Sequence, residues 1–185
     1  MHKPISIGPI IYPLPVAILL TYNEDSSINA MTAAWACPVD RDLLAVCLSN
    51  DHKTNANFRR DPHVTISFAT QSTLEEASYF GCFSGNDIPA KAASTALTDL
   101  KIAPSPVMKE FPLAILCRFD HEDEDTGMNY FQIEKILADE DCLDEQGRLD
   151  LSKCAPVCYD PCHHVYRAVG EELGEAYKMG KKFVK

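Results

Sequence analysis

The sequence predicts a mainly β protein with a few short helices, folded as a small closed barrel. Short runs of alternating or continuously apolar residues, rich in β-branched and aromatic side chains, recur along the chain at strand length. Turn-forming clusters bound most of them. Segments of helical period are few and do not separate the strands as regular crossovers, which disfavours a doubly wound sheet.

The N-terminal stretch MHKPISIGPIIYPLPVAILLTY reads as an extended lead-in. Pro4, Pro9, Pro13 and Pro15 break its apolar run, unlike the core of a secretion signal, and no small-residue cleavage site follows. The first full strand is VAILLTY (16–22), closed by the turn NEDSS. Next comes INAMTAAWACP (28–38), small residues around the only Trp of the chain. It reads either as a buried strand with Trp35 in the core or as backbone left open to something flat. DLLAVCLS (42–49) and HVTISFAT (63–70) follow, after the turns PVDRD and RRDP. PLAILCRFD (112–120) and MNYFQIEKIL (128–137) form a hairpin across the acidic loop HEDEDTG, a solvated turn. Three short helices are expected. HKTNANFRR (52–60) has Asn50 or Asp51 near its cap. STLEEASYF (72–80) opens on a Ser72–Glu75 capping box and ends at Gly81. PAKAASTAL (89–97) carries Pro89 in its first turn.

A chain of 185 residues suits one domain, 1–185, able to bury a core without metal or disulfide. A net charge of −10 argues against a nucleic acid or an anionic membrane as partner. No apolar run reaches the roughly 18 residues of a membrane span, so a cytoplasmic protein is expected. Of eight cysteines, Cys37, Cys47, Cys82 and Cys117 lie singly in apolar or small-residue surroundings and are expected as buried thiols. Cys154, Cys158, Cys162, His163 and His164 crowd into eleven residues. Their chemistry suits zinc, but no C-x-x-C pair occurs, and Pro156 and Pro161 oppose a helix that would align them. Structural thiols or a solvent-exposed coincidence are the expectation, with a metal or redox role the alternative; no metal ligand is assigned, and Cys142 is left outside the cluster.

Three segments hold the candidate chemistry. In LSNDHKTNANF (48–58), Ser49 and Thr54 offer hydroxyls and His52 and Lys53 offer cationic groups where a helix starts, a pattern that suits a phosphate; the alternative is a polar turn. In FGCFSGNDIPAK (80–91), Gly81 and Gly85 permit tight turns, while the spacing fits neither a P-loop nor a dinucleotide fingerprint. In NAMTAAW (29–35), backbone groups between small side chains suit the edge of a planar heterocycle.

In that order, N-x-M-T-A-A-W, L-S-x-x-H-K-T-x-x-N and F-G-x-x-S-G-x-x-x-x-x-K resemble the flavin reductase-like family of FMN-binding split barrels, which includes flavoredoxins. VYRAVGEELGEAY (165–177) is similar to that family's closing segment. The resemblance implies a homodimer of six-stranded antiparallel Greek-key split β-barrels, with FMN in a groove at or near the subunit interface. By motif position, Asn29, Met31, Thr32, Ala33, Ala34 and Trp35 would border the ring and ribityl chain. Ser49, His52, Lys53 and Thr54 would hold the phosphate. Ser84, Gly85 and Lys91 would close the site, from the same or the partner subunit. The family often has an Asp-Lys pair and then an aromatic after Ser-Gly; here the stretch is IPAKAA, which leaves the role of Lys91 open. The acidic hairpin, 120–126, is a second place where the chain departs from relatives.

The implied function is an FMN-dependent oxidoreductase, NAD(P)H:flavin oxidoreductase-like or flavoredoxin-like in electron transfer. NAD(P)H or a small redox protein would be the donor, and free flavin or a protein the acceptor. The flavin supplies the chemistry, so no side chain is assigned as catalytic. A non-catalytic flavin-storage protein is the alternative, and a metal-responsive module built on the Cys/His cluster a more distant one.

Overall fold

The computed structural model describes residues 2–184. Ten strands form two antiparallel sheets, with three helices between them: β1 (Leu14–Pro15), β2 (Ala17–Tyr22), β3 (Ile28–Ala33), β4 (Ala36–Asp40), β5 (Leu43–Cys47), α1 (Lys53–Arg60), β6 (His63–Phe68), α2 (Leu74–Cys82), β7 (Leu113–Asp123), β8 (Met128–Ala138), α3 (Leu151–Cys154), β9 (Val157–Asp160) and β10 (Val165–Ala168). The main sheet runs β3-β2-β6-β7-β8-β5-β4, seven strands where six were expected, and β1-β9-β10 form a second, small sheet.

The strand order forces the main sheet to curl. Its two outermost strands, β3 and β4, are consecutive and joined only by Ala34 and Trp35. Six interstrand spacings in a flat sheet would hold those edges about 29 Å apart. Three Cα steps reach at most about 11 Å. The edges therefore swing toward each other, which makes a split barrel. Pro38 lies on edge strand β4, where a missing N–H leaves no central ladder broken, and the register shifts between Pro38 and Asp40.

Two apolar clusters flank β2. Its side chains alternate, Ala17 and Leu19 to one cluster and Ile18 and Leu20 to the other. Both faces are buried, so VAILL reads as a continuous apolar run. Phe58 of α1 closes one cluster, stacked on Phe119 (4.6 Å between centroids) and edge-on to Phe131 (5.3 Å). Phe80 and Ala77 of α2 pack into the other.

Several boundaries differ from expectation. Strand β7 continues through Asp123, so three of the seven residues of the anticipated acidic turn are strand. Thr70 and Thr73, not Ser72 and Glu75, make the capping box, and it caps a 3-10 turn (Gln71–Thr73) that leads into α2. The anticipated helix at 89–97 is only a 3-10 turn, Lys91–Ser94. His52 is the N-cap of α1, without a side-chain capping bond. Of the four cysteines expected in the core, only Cys117 is buried; Cys37 and Cys82 are exposed and Cys47 is half-buried. Cys37 sits on edge strand β4 and Cys82 ends α2, positions whose second face stays open. The lead-in is tied to β9 twice: β1 pairs with it, and Asp160 accepts from Tyr12 Oη (2.9 Å) as well as from Arg167 Nε (2.8 Å). Among the described residues no helix is long and apolar enough to cross a membrane.

Candidate functional site

Where β3, the start of α1 and the segment after α2 meet, they enclose a polar cleft of about 260 Å³. β3 contributes Asn29, Met31 and Thr32; the entry to α1 contributes His52, Lys53 and Thr54; the chain from Phe80 to Gly85 and then Lys91 completes the wall. One chain supplies both the His-Lys-Thr turn and Ser84-Gly85, so no partner is needed to bring them together. A single contact explains this: Asn86 Nδ2 donates to the Asp51 carbonyl (2.7 Å), pinning the 84–87 turn to the turn before α1. The Asn86 N–H in turn donates to Ser84 Oγ (3.1 Å).

Asn29 is the hinge-pin of this wall. It is fully buried, and its Nδ2 donates to Thr54 Oγ1 (2.9 Å) and Thr21 Oγ1 (3.3 Å). Asn57 Nδ2 extends the network to Thr21 Oγ1 (3.0 Å) and Asn23 Oδ1 (2.9 Å). Buried amides are stable only when paired, so this network fixes β2, β3 and α1 in one arrangement. Asn29 Oδ1 faces Gly85 so closely that a Cβ there would lie 2.3 Å from it. Thr32 Oγ1 donates to the Ala77 carbonyl (2.5 Å) and so couples β3 to α2.

Cationic and donor groups gather at the α1 end. His52 Nδ1 is buried and has no hydrogen-bond partner. Lys53 and Thr54 are the first helical residues, and the leading N–H groups of any helix lack internal acceptors. The Ser49 carbonyl accepts from the His52 N–H (3.1 Å) and from Asn55 Nδ2 (3.0 Å). Ser49 is exposed and outside the cleft wall, so its part is to shape the turn.

Lys91 behaves otherwise than a ligand-facing cation. Its side chain is 1% exposed, and its Nζ donates to the carbonyls of Phe80 (2.8 Å) and Phe83 at the end of α2. Burial pushes its amine down to about 8. It closes the cleft by capping α2, where a cation also complements the helix dipole.

The remaining predicted residues lie elsewhere. Ala33 is in the core beneath β3. Ala34 and Trp35 line a second, larger and almost wholly apolar cleft of about 760 Å³, with Ile11, Pro13, Val46, Phe68 and Met128. Trp35 is 55% exposed, so it is not the core residue that a buried strand would make of it. The Cys/His run divides: Cys154 is buried beside Cys142, which the sequence left outside it, Cys162 is exposed, and no three His, Cys, Asp or Glu side chains converge as a metal-binding set among the described residues. Sequence reasoning missed Phe80 to Phe83 as cleft wall and the Asn23–Asn57–Thr21 network behind it. Two Asn inside an eight-residue helix, where Asn is a poor helix former, were the available signal for the latter.

The comparisons agree with this geometry. The flavin reductase like domain matches residues 11–161. The structure is similar to flavoredoxin of Desulfovibrio vulgaris (Miyazaki F), at TM-score 0.90 and 34% identity over 98% of this chain and 100% of that one. It is similar to flavoredoxin from Methanosarcina acetivorans, at TM-score 0.85 and 25% identity over 98% and 100%. An FMN-binding domain of a flavin reductases-like enzyme from Shewanella baltica shares the fold at TM-score 0.76 and 18% identity, over 87% and 89%. A comparison with curated proteins finds no match. A family match across most of the chain, on a barrel whose strand order forces the same closure, identifies the chain as a member of the flavin reductase-like family.

Proposed function

We propose that the chain binds FMN and acts as a flavoprotein oxidoreductase, passing electrons between a reduced donor and a second acceptor. The observation that carries this reading is the convergence at the start of α1: an unpartnered, buried His52 Nδ1, the basic residue Lys53 and the first turn of the helix, all on one cleft. A buried imidazole nitrogen without a partner is destabilising unless something pairs with it. A phosphomonoester supplies that partner, and the Ser84 hydroxyl stands across the cleft to add another donor. The donor set therefore fits the phosphate end of FMN.

Size fits the same division. A whole drug-sized ligand occupies a pocket of roughly 300–1,000 Å³. The polar cleft, about 260 Å³, suits the phosphorylated ribityl tail. Met31, Thr32 and Trp35 would border the flat ring. When bound, FMN supplies one- and two-electron transfer that no side chain offers. The chain's residues hold the tail, orient the ring and keep water from one of its faces. Asn29 and Gly85 act through position, by fixing the two walls.

Pairing of two chains is part of the proposal. Ile11 and Trp35, which line the apolar cleft, are 70% and 55% exposed, and Leu173 and Tyr177 of the C-terminal arm are 91% and 97% exposed. A second copy would cover this surface and complete the ring's surroundings. The relatives named flavoredoxin support an electron-transfer role, with NAD(P)H or a small redox protein as donor. The test is direct. Purified protein should be yellow and release FMN, close to one per chain, on acid treatment. Anaerobic NADH, NADPH and a reduced ferredoxin-type protein should then be compared as bleaching agents. Colourless protein that takes up no added FMN would end the proposal; retained FMN that no donor bleaches would convert it to flavin storage.

A further inference from the structure

We infer that Cys142 and Cys154 are a reversible dithiol–disulfide pair that locks the 143–153 loop, on the ground that the fold buries the two together with one sulfur against the other residue's backbone. Cys142 ends the 3-10 turn Glu140–Cys142 after β8, and Cys154 ends α3 just before β9. Two backbone bonds lay these turns on each other: the Asp150 N–H donates to the Cys142 carbonyl (2.8 Å), and the Cys154 N–H donates to the Asp150 carbonyl (3.0 Å). Cys154 Sγ lies 3.8 Å from the Cys142 carbonyl oxygen. Both residues are buried, at 8% and 7% exposure.

Burial pushes the Cys154 thiol up to about 12. Its sulfur is held against the Cys142 carbonyl, so the exchange is written with Cys142 attacking first and Cys154 second. The oxidant is a low-molecular-weight disulfide, RSSR. The Cys142 thiolate attacks one sulfur, the S–S bond breaks, and one RS⁻ leaves and takes up the proton that Cys142 gave to water. Cys154 then loses its proton, attacks the Cys142 sulfur of the mixed disulfide and expels the second RS⁻, which is protonated in turn. Two protein thiols are oxidised by two electrons, and RSSR is reduced to two RSH. Local opening admits the reagent, because residues 145–149 are exposed.

The lock has a structural reach. Just beyond Cys154, the Ala155 carbonyl accepts from the Gln71 N–H (3.2 Å), and the Val157 N–H donates to the Ala69 carbonyl (3.1 Å). These contacts anchor the entry to α2, whose far end forms a wall of the polar cleft. Oxidation therefore stiffens the base of that helix. The inference does not depend on flavin binding.

The test uses the native protein with oxidised glutathione, then alkylation, unfolding and tryptic digestion. Residues 136–148 and 154–167 should appear as one cross-linked pair, two hydrogens lighter than the sum, with fragmentation placing the bond at Cys154. Dithiothreitol should reverse it, and the oxidised form should melt about 5–10 °C higher. The Cys158→Ser/Cys162→Ser double variant should keep the cross-link and Cys154→Ser should lose it. Cys117, buried singly, should stay a thiol throughout. Recovery of Cys142 and Cys154 as alkylated thiols while Cys37, Cys82 and Cys162 carry glutathione would overturn the inference. So would a bond from Cys142 to Cys158 or Cys162, or oxidation of Cys117 at the same rate, which would mark unfolding.

Discussion

At Gly85 the site is decided by the absence of a side chain. A Cβ there would sit 2.3 Å from Asn29 Oδ1 and 3.1 Å from Lys53 Cβ. Asn29 cannot retreat without breaking its bond to Thr54, so Gly85→Ala must push the 84–87 turn off α1. Overpacking of this kind costs about 1–3 kcal/mol. The expected result is a lower denaturation midpoint and at least about tenfold weaker FMN binding, one decade being about 1.4 kcal/mol. Fluorescence titration of the apoprotein checks it. Lys91 yields a second prediction, in pH. Its amine falls from 10.5 in the unfolded chain to about 8 in the folded one. Between those values the unfolded chain holds more protons, so this group's contribution to stability rises with pH across the window. The buried thiols of Cys117 and Cys154, held up at about 12, pull the opposite way above 9. The difference between wild type and Lys91→Met isolates the lysine: urea midpoints should converge or separate in favour of the wild type as pH climbs from 8 to 10.5. A flat difference would contradict it. The sequence placed Lys91 near the cleft but not the direction of its amine, because a motif fixes position along the chain and not which acceptors lie within reach.

At the scale of elements, α2 and β3 meet through Gly81 and Thr32. Gly81 reads as a C-terminal cap in the sequence, yet the helix runs through it to Cys82. The two elements lie close there, yet a Cβ would stand 3.4 Å from Thr32 Cβ, at ordinary contact distance. Gly81→Ala should therefore be tolerated and even stabilising, since Ala is favoured over Gly by about 0.8–1.0 kcal/mol inside a helix. Gly81→Leu should wedge α2 from β3, break the Thr32–Ala77 bond and weaken FMN binding. Thermal melts and flavin titration of both variants check the pair; equal loss in both would refute the close-approach account. The five long strands were legible because alternation and β-branching persist over five or more residues. The capping box was misread by two residues, since Thr70, Ser72 and Thr73 all offer hydroxyls and only the tertiary fold selects among them. The 89–97 helix failed because Lys91 turned inward to the end of α2 and stopped it after one 3-10 turn.

For the whole molecule, barrel closure was readable in outline, but the seventh strand was not. β4 is a short edge with Pro38 inside it, and proline argues against a strand unless the edge is known. The site was legible where it is local, at His52 to Thr54 and Ser84-Gly85. It was less legible where two clefts divide the motif, since NAMTAAW turns from the polar cleft to the apolar one after Ala33. That apolar face leads to a prediction about assembly. Sedimentation should report about twice the 20.5 kDa of one chain. Trp35→Asp should lower that mass to one chain while the far-ultraviolet spectrum stays unchanged. A wild-type monomer at every concentration would remove the proposed pairing.

The central claim is that a phosphorylated flavin tail is held at the start of α1. Side-by-side titration of apoprotein with FMN and riboflavin tests it most directly, because the two ligands differ only in the phosphate. Charge-assisted hydrogen bonds contribute about 1.5–3 kcal/mol each. The account predicts that FMN binds at least about 100-fold tighter, and that His52→Ala narrows the gap by weakening FMN alone. Equal affinities for the two flavins would contradict it.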